Sequence, residues 1–118
     1  MGRLRSTLML LAILVAIGLA AYHYIFRPSW EIQTRQLAFD SVTLEMDRAS
    51  VTGLMGPPSS VSDTFGDRVF WNNEIRHDID ASVVVESLRY RTNTFYLPII
   101  FEVSLDSRGL VVGKHRYD

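Results

Sequence analysis

The sequence predicts an α+β protein: one N-terminal transmembrane helix, then a small domain in which a short helix packs on a three- or four-stranded antiparallel meander. Three observations predict it. Residues 8–26 are 19 consecutive positions without a formal charge. Residues 47–56 read as a short helix capped at both ends. Residues 97–105 alternate in polarity and run into a tight-turn sequence.

The apolar run comes first. As an α-helix it reaches about 28 Å, close to the hydrocarbon thickness of a bilayer. Arg3 and Arg5 precede it, Arg27 and Pro28 end it, and Tyr22, Tyr24 and Trp30 supply interfacial aromatics at that end. A cleaved signal peptide is the rival reading, with Gly18-Leu19-Ala20 as its small-residue site. The run continues through Ile25 and Phe26, which is long for a signal peptide, so an uncleaved anchor is expected. Leu19-Ala20-Ala21-Tyr22 is similar to a lipoprotein box with Tyr22 in place of its cysteine. The chain has no cysteine, so the helix must do the anchoring. Arginines tie across the span, and the N-terminal amine tips the balance toward a cytoplasmic N-terminus. The expected divisions are a cytoplasmic tail at 1–7, the span at 8–26, a stalk at 27–41 and the domain at 42–118.

Composition limits what that domain does. Residues 27–118 carry 10 Lys+Arg against 13 Asp+Glu, a formal charge of −3. This is no footprint for nucleic acid. The missing cysteines exclude disulfides, thiolate metal sites and thiol nucleophiles.

In the stalk, Trp30, Ile32, Leu37 and Phe39 are more apolar than a solvated tether needs. They are candidate partner-binding residues, or dock on the domain itself. Asp47 then suits a helix N-cap, and Met46 and Val51 have the spacing of a hydrophobic staple. Val51, Leu54 and Met55 share one side of the helix 48–55. Gly56 suits a left-handed C-terminal cap, and Pro57 and Pro58 prevent continuation. Residues 68–72, with Phe70 and Trp71, read as a short strand, and 83–92 as a longer one with Val83, Val84 and Val85 in the core. Along 97–105, Leu97, Ile99, Phe101, Val103 and Leu105 share one face, and Ile100 on the other is a further contact candidate. Asp106-Ser107-Arg108-Gly109 is a hairpin turn that hinges on Gly109, and 110–117 returns as the last strand. Residues 59–67 and 72–82 read as loops.

The stretch Val42-Thr43-Leu44-Glu45-Met46-Asp47-Arg48-Ala49-Ser50-Val51-Thr52-Gly53-Leu54-Met55-Gly56-Pro57-Pro58 resembles the start of SmpA/OmlA (BamE-like) domains, which read roughly Gly-Met-Thr-x-x-x-Val-x-x-x-Leu-Gly-x-Pro. Trp71 and the run Phe101-Glu102-Val103-Ser104-Leu105-Asp106-Ser107-Arg108-Gly109-Leu110-Val111 are similar to their Trp-containing strand and closing hairpin. The resemblance covers about residues 42 to 117. It implies a small envelope-assembly module, here on a transmembrane anchor instead of a lipid, with Glu45 or Met46 where the family has glycine. Family members support a β-barrel assembly machine. The departures imply a BamE-like module without implying the same complex.

Nothing in the sequence assembles a catalytic constellation. His77-Asp78-Ile79-Asp80 holds metal-ligating types but lies in a polar loop without a second cluster. His115, between Lys114 and Arg116, reads as a surface histidine. His23 is polar within the span and so a weak cofactor-ligand candidate, but Tyr22, Tyr24 and the nearby end of the run favour solvation at the interface. No cofactor, metal or small-molecule substrate is expected. The expected role is a non-enzymatic, protein-binding adaptor or scaffold: single-pass in a bacterial inner membrane, in contact with lipid through 8–26, with a periplasmic domain that engages other membrane or envelope proteins. The alternative is an accessory subunit of a respiratory or photosynthetic inner-membrane complex.

Overall fold

The computed structural model describes residues 2–63, 66–92 and 98–118. It begins with helix α1 (Gly2–Ala21), a π-helical turn (Tyr22–Phe26) and helix α2 (Arg27–Asp40), which follow one another without a break. Among the described residues the helix from Gly2 to Tyr24 is long and apolar enough to cross a membrane. The stretch expected to be a stalk is thus helical to Asp40, and Pro28 does not end the helix. Proline has no N–H to give to the carbonyl four residues back. The wider π turn just before it is a known way for a helix to absorb such a defect.

Helix α3 (Arg48–Met55) is where the sequence predicts it. Asp47 is its N-cap, with Oδ1 accepting from the Ser50 amide at 2.7 Å. Gly56 ends it at φ 81° and ψ −172°. The φ is positive as expected, but the extended ψ departs from the left-handed helical cap. That combination is essentially restricted to glycine. The Gly56 amide still closes the helix on Thr52 O at 2.8 Å.

The sheet corrects the expected meander. Among the described residues it has six strands: β1 (Ser60–Ser62), β2 (Phe70–Trp71), β3 (Glu74–Ile75), β4 (Glu86–Thr92), β5 (Ile99–Leu105) and β6 (Val111–Tyr117), in spatial order β1-β4-β5-β6-β2-β3. The antiparallel meander is β4-β5-β6, and β2 joins β6 in parallel through Trp71 opposite Lys114. Both expected loops therefore contain a strand. The β2–β3 hairpin turns on Asn72 and Asn73, with φ of 51° and 68°, conformations that asparagine tolerates better than most residues. Val83 closes a 3₁₀ turn (Ala81–Val83); Val84 is buried, but Val83 and Val85 are exposed, so that triplet is not core strand. Leu97 lies outside the described residues, and the strand expected from it begins at Ile99.

One sheet face carries the main core. Phe39 and Val42, from the end of α2 and just beyond it, meet Val51 and Met55 of α3 over Leu88, Tyr90, Phe101, Val103, Leu105 and Val111. The other face carries a smaller cluster of Val69, Val84 and Val112 beneath the 66–84 segment. Gly113 permits that covering: a Cβ there would lie 2.6 Å from Val69 Cγ1 and 2.8 Å from Phe70 O. Helix and domain together measure 74 × 25 × 20 Å.

Candidate functional site

The principal site candidate is the junction between the long helix and the sheet, together with the helix face that the junction leaves uncovered. Its centre is Lys114, the chain's one lysine, only 2 % exposed on the core face of β6. A helix leaves its last carbonyls without intrahelical partners. The Lys114 ammonium donates to Phe39 O at 2.8 Å and Val42 O at 2.9 Å, with Asp40 O at 3.5 Å. It also sits 4.9 Å from the Phe39 ring centre and 4.8 Å from that of Trp71, so two aromatic faces replace part of its hydration. The cation answers the negative end of the α2 dipole. Burial pushes its pKa below the usual lysine range, and Asp40 pulls partly the other way.

Other contacts align α2 on the sheet. Arg116 Nη1 donates to Gln36 Oε1 at 2.7 Å, and the Arg35 guanidinium lies 5.8 Å from the Tyr90 ring centre. Ile32 is half-buried and Phe39 is 3 % exposed. Phe39 is therefore core and not a partner-binding residue: as the last apolar residue of α2 it faces Phe101, ring centres 5.1 Å apart. Trp30 and Leu37 are each 71 % exposed. Seven residues apart, they lie two turns from each other on one helix face. Ile100 is half-buried on the opposite sheet face.

That opposite face holds a cleft of about 270 Å³ bounded by Asp67, Arg68, Phe70, Val84, Glu102 and Tyr117. Glu102 accepts from Arg89 Nε at 2.8 Å and from the Tyr117 hydroxyl at 3.4 Å. The Ser104 hydroxyl lies 3.3 Å from that of Ser87. His115 is half-buried here, which corrects its reading as a surface residue. Its ring stacks on Phe70 at 4.3 Å and meets Tyr117 edge-on at 4.3 Å. Burial lowers its pKa, against weaker opposing pulls from Glu102 and Asp118. This geometry provides a tied carboxylate and paired hydroxyls.

The remaining sequence candidates are dispersed. His23 is exposed and packs edge-on against Tyr24, ring centres 5.0 Å apart. Asp78 is paired with Arg76 at 2.6 Å and Asp80 caps the Ser82 amide at 2.9 Å, so those carboxylates are engaged locally. No group of three metal-ligating side chains occurs among the described residues. Pro57 follows Gly56 in an exposed position, Gly109 turns the β5–β6 hairpin at φ 75°, and Trp71 lies under Lys114. Sequence reading missed Lys114 and Gly113. A lone lysine among eleven arginines is the one signal that pointed to the first.

No protein-family model, curated protein or solved structure matches this chain. The resemblance to SmpA/OmlA domains rests on the residues quoted for it.

Proposed function

We propose that this chain is a non-enzymatic, single-span membrane adaptor whose BamE-like domain binds other proteins of the envelope. The observation that carries the proposal is the exposed pair Trp30 and Leu37 on a helix that runs unbroken from the apolar segment into the domain core. Both side chains lie on one outward helix face, two turns apart and each 71 % exposed. With the arginines tied across the span, the N-terminal amine favours a cytoplasmic N-terminus in an inner membrane, with the domain periplasmic. Glu45 at φ 65° adds support for the family resemblance, because it is one of the two positions where the family has glycine.

The experiment is affinity purification of full-length protein in mild detergent, wild type against Trp30→Ser/Leu37→Ser. Phe39 is left intact because its loss would test folding instead. Loss of a specific membrane-protein partner, with an unchanged circular dichroism spectrum, is the expected result. Haem or pigment in the purified assembly would favour the accessory-subunit reading. Turnover of a small molecule by the purified protein would overturn the non-enzymatic one.

A further inference from the structure

We propose that the β2–β3 hairpin is a proton-operated latch: when His115 on β6 takes up a proton, Phe70 is released, the hairpin lifts and the outer edge of β6 is bared. The hairpin is lightly held. Among the described residues, β2 meets β6 at one strand pair, Trp71 opposite Lys114. Its two aromatic residues grip two neighbouring bases of β6 from opposite faces of the sheet. Trp71 lies under the Lys114 ammonium, 4.8 Å from its ring centre, and Phe70 stacks on the His115 imidazole at 4.3 Å. Beyond them, Asn73 Oδ1 accepts from the Arg116 amide at 3.3 Å. The base of the hairpin is tied separately. The Arg76 amide donates to Val69 O at 2.7 Å, and its Nη1 donates to Val112 O at 2.6 Å. Releasing Phe70 therefore lifts the tip and leaves the base in place.

His115 is the trigger. Its Nδ1 is buried and has no hydrogen-bond partner among the described residues. In the neutral ring protonated at Nε2, Nδ1 is an idle acceptor; in the charged ring it is a donor with nothing to donate to. A buried donor without an acceptor bears its full desolvation cost, and a cation on the Phe70 face returns only part of that. Two carboxylates pull the other way, Glu102 opposite on β5 and Asp118 on the same chain end. Each is already tied to an arginine, Glu102 to Arg89 at 2.8 Å and Asp118 to Arg116 at 2.7 Å. Asp67 and Arg68, just before β2, border the adjoining cleft and offset each other. Lys114 points to the core face, and Glu74 on β3 is exposed. By parting from Phe70 the charged ring regains water. The bared edge of β6 then presents backbone groups to which another strand can add.

The test is amide hydrogen exchange, read by NMR on the full-length protein in detergent micelles at pH 7.5 and 5.5. Protection is taken relative to the intrinsic rate at each pH. The Arg116 amide reports the latch, and the amides of β4 and β5 report the sheet. Arg116 is expected to be less protected than β4 and β5 at both pH values, which marks a local opening. A histidine that takes up its proton near pH 6.5 only when released raises the opening constant by up to about tenfold over this interval. Arg116 protection is therefore expected to fall roughly three- to tenfold in wild type. In His115→Phe, which keeps the stack and cannot be charged, it is expected to fall less than twofold. If that variant does not fold, His115→Gln makes the same comparison without the ring.

Unchanged Arg116 protection in wild type overturns the latch, as does an equal fall in the uncharged variant. Arg116 protection equal to that of β4 and β5 overturns it too, because the hairpin would then leave only when the whole domain unfolds.

Discussion

Lys114 shows how much one side chain carries here. Its ammonium adds a hydrogen bond to Phe39 O, which the Val42 amide also reaches, and binds Val42 O just beyond the helix end. Lys114→Met keeps the bulk and the aromatic contacts but removes charge-assisted hydrogen bonds, and it is expected to cost about 1.5–3 kcal/mol in chemical denaturation. The same variant loosens the sheet from the helix. His115 sets a pH dependence whose sign follows from its burial. Its folded pKa is below the ordinary histidine value, so between the two the unfolded chain binds more protons. Stability from this group is therefore complete above about pH 6.5 and is lost as pH falls through the window beneath. Asp47, Asp78, Asp80 and Asp106 also have lowered pKa values, each led by a hydrogen bond to its carboxylate. Their contributions are lost only as pH falls below the ordinary aspartate value near 3.9. Melting temperature between pH 7.5 and 5 is thus expected to fall less in His115→Phe than in wild type.

At the scale of elements, the two ends of α3 and the inner face of α2 bear the stability. Asp47→Ala removes the acceptor of the Ser50 amide and is expected to cost about 0.5–2 kcal/mol. Gly56→Val is expected to cost at least as much, since φ 81° is strained for a branched residue. Phe39 and Leu37 lie two positions apart on α2 and predict opposite behaviour. Phe39→Ala empties part of the core, for about 3–5 kcal/mol. Leu37→Ser changes stability by no more than about 0.5 kcal/mol and reads out in partner binding instead. Denaturant titrations of the two variants check the contrast. On the far side of the sheet, Gly113→Ala forces the 69–70 backbone away from β6, and protection of those amides from hydrogen exchange is expected to fall.

The whole molecule is a helix about 58 Å long by its rise per residue, with a small sheet domain at one end. Leu14→Arg places a charge near mid-span and is expected to cost about 2.5–3.5 kcal/mol on insertion scales, seen as a larger carbonate-extractable fraction. Soluble full-length protein, or a chain cleaved after Ala20, would refute the anchor. The domain packs on the C-terminal half of α2, through Arg35, Gln36 and Phe39. Trp30, five residues before Arg35, is exposed between the apolar segment and the domain.

By itself the sequence determined the features that a few neighbouring residues encode: the apolar run, the Asp47 cap, the Gly56 stop, the Asp106–Gly109 turn and the alternating face of β5. Each depends on backbone geometry or solvent preference within a few residues, so local pattern suffices. Only the tertiary structure decided the rest. Strands as short as Phe70–Trp71 and Glu74–Ile75 have no periodicity to read, and exist because β6 and the Asn72–Asn73 turn pair them. Residues 27–40 are not strongly patterned, and their helix docks because β6, some 75 residues away in sequence, places Lys114 at its end. Phe39 and Leu37 look equivalent as letters. Which one is buried depends on where the sheet sits around the helix axis, and long-range packing alone sets that angle.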